Sequence, residues 1–431
     1  MAYLRLDKDL GFDSDWKHEM TLVSNGLADQ SYCATLERED QTTAKYVEEH
    51  GVKFNHHDEE NVLLEFNTRQ HFVFPEGGGK AVIDCLMGHI RQYKNAEVFW
   101  ETEARHLLVD KRGAVRGLQI RRKDGLLYEL HAPDVVLACG GFEGNREMLA
   151  KYYNRGAGLN MALEVGAGTA GSFDGMHCEL VDTRATKPDA VIWGHNYGIV
   201  VNEQCKRFYD EGKRHLFATF EMIALELWRD QNQKGYFITD EPIMKRFRPG
   251  WGYDTTDQEP EKAATIRELA EKLKLDPDAL EITVQEFNQA CNDKPLDLMK
   301  LDGKATNGLN PNKTNWANPI SNPPYYGYPV TSHLTFTYGG VKTNNEAQVL
   351  STNDFPIPGL WAAGELTGIF YNGEHFSVSE MGLLLTFLEY PPATSVLRSL
   401  AFGRLAGTKI AEQLGSKSLL QSVTNTVRSA L

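Results

Sequence analysis

The sequence of 431 residues lacks several features that would indicate a membrane span, an exported protein or a metal site. Its longest strongly apolar stretch, Met381 to Leu388, is far shorter than the roughly 20 residues that a helix needs to cross a bilayer. Charges occupy the first ten residues, where a signal peptide needs an apolar region. Six cysteines are scattered without CxxC or cysteine–histidine spacing, which argues against zinc and indicates reduced thiols. We therefore expect a soluble, cytoplasmic protein.

Positive charge is also scarce, because 45 lysines and arginines face 59 aspartates and glutamates and leave a net charge of −14. Such a surface repels phosphate backbones and anionic membranes, so we expect neither nucleic acid nor a membrane as a partner. An anionic small molecule would have to be gathered by a local cationic pocket.

The pattern of apolar and polar residues differs between parts of the chain. At roughly 150 residues per domain, the length predicts two or three domains. Residues 1–150 and 331–415 alternate helical and β-rich patterns, as an α/β domain does. Residues 151–330 contain two helices, and the second is expected to begin with Asp276 as its N-cap and Pro277 in its first turn. A long Asn/Pro/Gly-rich stretch follows these helices, and the change of pattern indicates an inserted second domain. Residues 416–431 are assigned to a tail.

Two strands in the α/β parts end in glycine. The apolar run Val135–Ala138 is followed by Cys139-Gly140-Gly141, and Leu360–Ala363 is followed by Gly364-Glu365. A continuous apolar run that ends in glycine is typical of a buried parallel strand that delivers the chain to a cofactor. A third glycine run, Gly77–Gly79, opens a helical pattern; it can present N–H groups to an anion or simply form a tight turn.

A literal GxGxxG occurs at Gly166–Gly171. A dinucleotide-binding unit needs a strand before this motif and a long helix after it. The preceding LNMALEV is helical in composition and the following residues are not, so we interpret the motif as a turn. An NAD-dependent enzyme that uses this motif remains an alternative.

Four ordered segments carry a resemblance: VVLACGGFEGN, GIVVNEQCKRFYDEG, HLTFTYGGV and GLWAAGELTG. They are similar to signature blocks of the fumarate reductase/succinate dehydrogenase flavoprotein superfamily, and most of all to its tricarballylate dehydrogenase-like branch. The resemblance extends from about residue 20 to 415. It implies an α/β FAD-binding domain of the glutathione-reductase type, formed by residues 1–150 and 331–415. An α+β capping domain at residues 151–330 would be inserted into it.

The resemblance also implies which residues hold FAD. The strand ends and the glycine turn would lie along the cofactor. A late helix that opens at residues Thr394 to Leu397 would point its N-terminus at the flavin's pyrimidine side. A helix dipole stabilises the negative charge that a reduced flavin gathers there. The implied cofactor residues are Gly78, Gly79, Lys80, Ala104, Ala138, Gly140, Gly141, Phe142, Asn145, Gly364, Glu365, Thr394, Ser395, Val396 and Leu397.

The resemblance also implies substrate-binding residues, through their positions in or near the four segments. His177 occupies the place of a family substrate histidine, and Arg214 is the candidate for the catalytic arginine, with His215 beside it. Arg207 lies within the segment GIVVNEQCKRFYDEG itself and is expected to be structural. For each of these residues an ordinary surface or core role is the competing interpretation.

Two positions depart from fumarate reductases. Phe336 stands where those enzymes carry a histidine, and Tyr390 replaces a substrate arginine. Tyr390 instead resembles the tricarballylate and ketosteroid dehydrogenase branches, where a tyrosine hydroxyl polarises a carbonyl or carboxyl. The resemblance therefore implies FAD-dependent dehydrogenation of a small polycarboxylate such as tricarballylate, with hydride passing to flavin N5. The electron acceptor is left open.

Two further departures concern the length of the chain. The family begins with a GxGxxG unit that is absent here, so the FAD domain is expected to be N-terminally incomplete. The sixteen residues Gly373–Leu388 interrupt a flavin loop and are interpreted as a retained intron, with a lid loop as the alternative. Three functional alternatives follow: an inactive truncated homologue, an NAD-dependent oxidoreductase and a ketosteroid-dehydrogenase-like enzyme.

Overall fold

The computed structural model describes most of the chain in twelve segments. These are residues 4–6, 9–12, 16–23, 28–56, 73–144, 155–173, 175–186, 190–214, 216–246, 256–298, 300–369 and 394–429. The helices in these segments are α1 (Trp16–Val23), α2 (Gln30–Glu49), α3 (Gly78–Ile90), α4 (Ala157–Glu164), α5 (Leu216–Asp230), α6 (Glu241–Met244), α7 (Ile266–Leu273), α8 (Pro277–Ala290) and α9 (Ser395–Ser429). None of them is both long enough and apolar enough to cross a membrane.

The strands of the same segments form five small sheets. They are β1 (Phe54–His56), β2 (Val73–Pro75), β3 (Glu103–Val109), β4 (Val115–Arg121), β5 (Leu127–His131), β6 (Val135–Leu137), β7 (Thr169–Ala170), β8 (Met176–Asp182), β9 (Ile199–Asn202), β10 (Gly235–Asp240), β11 (Glu261–Ala263), β12 (Tyr325–Thr337), β13 (Gly340–Val341), β14 (Gln348–Leu350) and β15 (Pro356–Ala362).

Helix starts follow local rules of capping. Asp276 accepts hydrogen bonds from the N–H groups of Asp278 and Ala279, and Pro277 occupies the first helical position, where no N–H is needed. The predicted start of α8 is therefore confirmed. Helix α3 begins after Gly77, whose φ of 81° is a left-handed value that favours glycine, so the glycine run does open a helix.

The two glycine-terminated strands, β6 and β15, are parallel, as predicted, and the structure shows that they pair with each other. Leu360 pairs with Val135 and Ala362 with Leu137. Val135 and Leu137 are buried, whereas Val136 is 41% exposed. The expectation of a strand buried throughout is thus wrong for Val136, because alternate side chains face opposite sides of a sheet and only one side packs on the core.

A five-stranded antiparallel sheet lies in the middle of the chain, and β12 is its longest strand. The first half of β12 pairs with β10 and β11, and its second half, from Val330 to Thr337, pairs with β8. Helix α5 packs on β8 and β12. Thr337, the last residue of β12, still pairs with Met176 of β8 and also lies beside Glu365, which follows β15.

The C-terminal helix α9 begins at Ser395, close to the predicted start. It packs along α2, where the rings of Tyr32 and Phe402 stack with centroids 3.9 Å apart. The predicted turn at Gly166–Gly171 is confirmed only for Gly166, because Ala167 forms a β-bridge with Ser351 and Thr169–Ala170 form β7. Helix α4 ends before the motif, so the chain runs from helix to strand here. This order is the reverse of the strand–turn–helix order that binds a dinucleotide.

Candidate active site

Three segments meet where β6 ends. Gly140 adopts a φ of 75°, and a Cβ on Gly141 would lie 2.2 Å from Thr337 Oγ1 and 2.3 Å from Glu365 Oε1. The N–H of Phe142 donates to Thr337 Oγ1 at 3.4 Å. Glycine at 141 is therefore required for β6, β12 and the end of β15 to come this close.

Glu365 is the acidic group of this junction. Its Oε1 accepts hydrogen bonds from the N–H of Thr337 at 2.8 Å and from the Thr337 hydroxyl at 3.2 Å. Burial, together with the neighbouring carboxylate of Glu143, raises the pKa of Glu365 to about 7. Near neutral pH the Glu365 carboxyl can therefore either accept a hydrogen bond from a ligand hydroxyl or donate one.

The start of α9 lies against the turn that follows β15. A Cβ on Gly364 would come within 3.1 Å of Ser399 Oγ, and Arg398 donates to the carbonyl of Thr367 at 3.3 Å. Thr394 is fully buried just before the helix. The first residues of α9, Ser395 to Leu397, thus bring the positive end of a helix dipole to the same junction.

The remaining candidate cofactor residues lie on other elements. Gly78, Gly79 and Lys80 are in the first turn of α3, and the Lys80 ammonium pairs with Asp84 at the exposed surface. Ala104 lies in β3, paired with Ile120 of β4. Ala138 follows β6 and is exposed. Asn145 lies outside the described residues.

His177 lies in β8 and is only 3% exposed. Its Nδ1 is 2.9 Å from Glu221 Oε2 and its Nε2 is 3.6 Å from Glu179 Oε1. Burial by itself would lower the pKa of His177, but the two glutamates outweigh it and raise that pKa to about 9. At neutral pH the ring is therefore a buried imidazolium held between two carboxylates.

The surroundings of His177 include residues that sequence reasoning missed. The Tyr338 hydroxyl donates to Glu221 Oε1 at 2.7 Å, and the Phe336 ring lies 4.8 Å from the histidine ring. Tyr338 stands in the HLTFTYGGV block, so that block could have suggested it. Glu221 lies on α5, 44 residues after His177, and no local spacing points to it.

Arg214 lies in the segment between β9 and α5, with an exposed side chain. Its carbonyl accepts a hydrogen bond from Asn196 Nδ2 at 2.9 Å. Arg207, in contrast, points inward, where its guanidinium pairs with buried Glu211 and donates to the Pro311 carbonyl at 2.8 Å. These contacts agree with the structural role expected for Arg207.

Helix α5 relates Arg214 to His177. The helix begins at Leu216, two residues after Arg214, and carries Glu221, which contacts His177. At a rise of about 1.5 Å per residue, Leu216 and Glu221 are roughly 8 Å apart along the helix axis. His215 and Tyr390 lie outside the described residues.

Comparison with known proteins identifies relatives across most of the chain. A family model described as FAD binding domain matches residues 3–375. The urocanate reductase of Eggerthella lenta is 28% identical over 377 residues, which are 79% of this chain and 55% of that protein. The NADH:acrylate oxidoreductase of Vibrio harveyi is 29% identical over 339 residues, 72% of this chain and 31% of that protein. The 3-oxosteroid 1-dehydrogenase of Mycobacterium tuberculosis is 26% identical over 404 residues, 83% of this chain and 68% of that protein.

Solved structures show the same fold at lower identity. The open conformation of a flavocytochrome c3 fumarate reductase matches with a TM-score of 0.70 at 20% identity, over 91% of this chain and 66% of that one. A 3-ketosteroid-Δ4-(5α)-dehydrogenase from Rhodococcus jostii RHA1 matches with a TM-score of 0.65 at 20% identity. The match covers 94% of this chain and 87% of that one. The chain spans little more than half the length of the urocanate reductase, and about a third of the acrylate oxidoreductase.

The residues at the junction fit FAD, the cofactor that the family match indicates. Ala138 and Cys139 are exposed at the end of β6, and left-handed Gly140 follows them, so the main chain here is open to a ligand. Glu365 suits a sugar hydroxyl, and the start of α9 suits the electron-rich edge of a flavin. FAD is thus the cofactor for which the donors and acceptors of this junction are suited.

Proposed function

Because this chain belongs to the FAD binding domain family, within the fumarate reductase/succinate dehydrogenase superfamily, we propose that it interconverts a CH–CH bond and a C=C bond. One carbon would exchange a hydride with FAD, and the adjacent carbon would exchange a proton with an acid or base of the site. The bond would lie beside a carboxylate, as in the urocanate, acrylate and fumarate named for its relatives. When bound, FAD supplies hydride transfer at flavin N5. The chain itself would bind the carboxylate, orient the bond and exclude water.

The end of β12 is the observation that carries this proposal. Thr337 faces Glu365 on the cofactor side, whereas its neighbours Phe336 and Tyr338 contact His177 and Glu221. Alternate side chains of a strand point in opposite directions, so one short stretch of β12 touches both groups. This arrangement supports a site between the α/β part and the central sheet, where closure keeps water from the reacting bond.

We assign the parts as follows. Residues 1–150 and 331–415 form the FAD domain and residues 151–330 the cap. Arg214 binds a substrate carboxylate from the cap side, with His215 beside it. His177 supplies a buried positive charge near the substrate, and Tyr390 polarises the group next to the reacting bond. The junction residues and the start of α9 hold the cofactor.

For the substrate we propose a polycarboxylate such as tricarballylate, oxidised by the enzyme. Phe336, an aromatic residue next to the His177 ring, supports a substrate other than fumarate because it brings no hydrogen-bond donor to that position. A steroid is the second candidate. It is favoured by the match to the 3-oxosteroid 1-dehydrogenase, of which the chain covers 68%.

Purified protein saturated with FAD provides the test. Oxidation of tricarballylate is followed with an artificial electron acceptor, and reoxidation of the chemically reduced flavin is followed with fumarate, urocanate and acrylate. We expect oxidation of tricarballylate, little turnover of fumarate and none of 4-androstene-3,17-dione. Turnover of the steroid alone would favour the second candidate. Protein that stays colourless after incubation with FAD would support an inactive homologue.

A further inference from the structure

Lys313 is fully buried in the segment between α8 and β12. Its ammonium donates to the carbonyls of Asn196 and Gly198, each at 2.6 Å. Burial lowers the pKa of Lys313 to about 8, although the charge of Glu211 acts in the opposite sense. A buried ammonium is costly unless its hydrogen bonds are made, so these two bonds define the conformation of residues 196–198.

Asn196 connects residues 196–198 to the segment that contains Arg214 through hydrogen bonds of its side chain. The Asn196 side chain is fully buried, and its amide nitrogen donates to the carbonyl of Glu211 at 2.7 Å and to that of Arg214 at 2.9 Å. Both donors of one buried amide are thus used on the main chain of residues 211–214.

Residues next to Lys313 hold the same segment from a second direction. The N–H of Thr314 donates to Asp210 Oδ1 at 2.9 Å, and the side chains of Thr314 and Asn315 both donate to the Gly212 carbonyl at 2.9 Å. A Cβ on Gly212 would lie 2.2 Å from the Asn315 carbonyl oxygen. The segment is therefore held closely on both sides, immediately before α5 begins.

We propose that Asn196 and Lys313 are positioning residues that fix the main chain of Arg214 and thereby aim its guanidinium at the substrate carboxylate. The proposal rests on the proposed function, which assigns Arg214 to the substrate. Arg214 has a long and exposed side chain, so its reach into the site depends on where its main chain is held. A displacement of about 1 Å at such a group can cost roughly a hundredfold in rate.

The first measurement reads the main chain of Arg214 directly. Trypsin cleaves after arginine, and we expect Asn196→Ala to speed cleavage of the bond after Arg214 roughly tenfold, because the carbonyl loses its hydrogen bond. Asn288→Ala is the matched control. Asn288 also clamps a main-chain segment, that of Ile320, but has no hydrogen bond to residues 210–214. Equal cleavage rates in wild type and Asn196→Ala would overturn the proposal.

The second measurement is the steady-state rate with a carboxylate substrate at equal flavin content. We expect kcat/KM to fall roughly tenfold in Asn196→Ala and in Lys313→Met, and to stay within twofold of wild type in Asn288→Ala. If Asn196 acts through Arg214, the double variant Asn196→Ala/Arg214→Gln has the same kcat/KM as Arg214→Gln alone. Losses that multiply in the double variant would contradict positioning.

Failure of the proposed function is distinguishable from failure of this inference. If Arg214→Gln keeps full kcat/KM, its assignment to the substrate is wrong and the inference falls with it. If Arg214→Gln is impaired but Asn196→Ala is not, the inference alone is wrong. Should Asn196→Ala not fold, Asp210→Ala takes its place, since it removes the acceptor of the Thr314 N–H at a half-buried position.

Discussion

The imidazole of His177 and the carboxylate of Glu221, whose Nδ1 and Oε2 lie 2.9 Å apart, join strand β8 to helix α5 inside the protein. Both side chains are almost completely buried, and Tyr338 completes the arrangement by donating to the other oxygen of Glu221. A buried ion pair is costly to break, because removal of one partner leaves the other charged and desolvated. The pair therefore couples the position of α5 to the charge on His177.

The first prediction concerns stability at high pH. Since the folded-state pKa of His177 is raised from 6.5 to about 9, its contribution to stability is complete below pH 6.5 and is lost as pH rises through 9. We expect His177→Asn to remove about 3 kcal/mol of this pH-dependent stability, measured by urea unfolding at pH 6.5 and 9.5.

His106→Asn is the control for this prediction. His106 pairs with Glu164 at the same 2.9 Å, but both side chains are about half exposed, so solvent screens the interaction. Its loss should leave the pH profile unchanged. An undiminished slope between pH 6.5 and 9 in His177→Asn would show that another group is responsible.

A second prediction concerns Glu365, whose pKa is raised from 4.5 to about 7. The folded state holds its proton more tightly than the unfolded state, so the stability it contributes is present below pH 4.5 and lost as pH rises to 7. Glu365→Gln should flatten the unfolding free energy over this range by about 1–3 kcal/mol. Glu49→Gln, at an exposed site on α2, should not. A wild-type profile that is already flat between pH 4.5 and 7 would refute this reasoning.

The third prediction tests the close approach at Gly141. Gly141→Ala places a methyl group against Thr337 and Glu365, and we expect a loss of about 2 kcal/mol in stability and a clear fall in flavin content after purification. Gly407→Ala provides the contrast, because a Cβ there meets nothing within 4 Å and the residue is in α9. That variant should gain up to about 1 kcal/mol. Unchanged flavin absorbance in Gly141→Ala would place the cofactor elsewhere.

The fourth prediction compares two ion pairs. Arg207 and Glu211 are buried, so Arg207→Met should cost about 3–5 kcal/mol by leaving the Glu211 carboxylate unpaired. Lys234 and Glu203 form an exposed pair at 2.6 Å that water and salt screen, so Lys234→Met should cost much less stability than Arg207→Met. Thermal unfolding of both variants at one pH gives the comparison. Similar losses in the two would contradict the structural role of Arg207.

Much of the local structure could be predicted because its causes are local. The cap formed by Asp276 and the helix that opens after Gly77 depend on residues a few positions apart. The parallel direction of β6 and β15 was also predictable, since apolar runs that end in glycine are typical of parallel strands, but their pairing with each other was not predicted. The exposure of Val136 was not, because it depends on which face the rest of the chain covers.

For the candidate site, sequence alone determined the chemical types: a glycine-ended strand, the acid Glu365, and the basic residues His177 and Arg214. Only the tertiary structure decided whether these side chains are charged and where their main chain is held. Glu221, distant in sequence, keeps the His177 ring charged, and Asn196 holds the main chain of Arg214. The physical reason is that pKa values and the direction of a side chain depend on burial and on neighbours that folding brings together. Helix and strand propensities and the backbone conformation of glycine, in contrast, depend on residues a few positions apart.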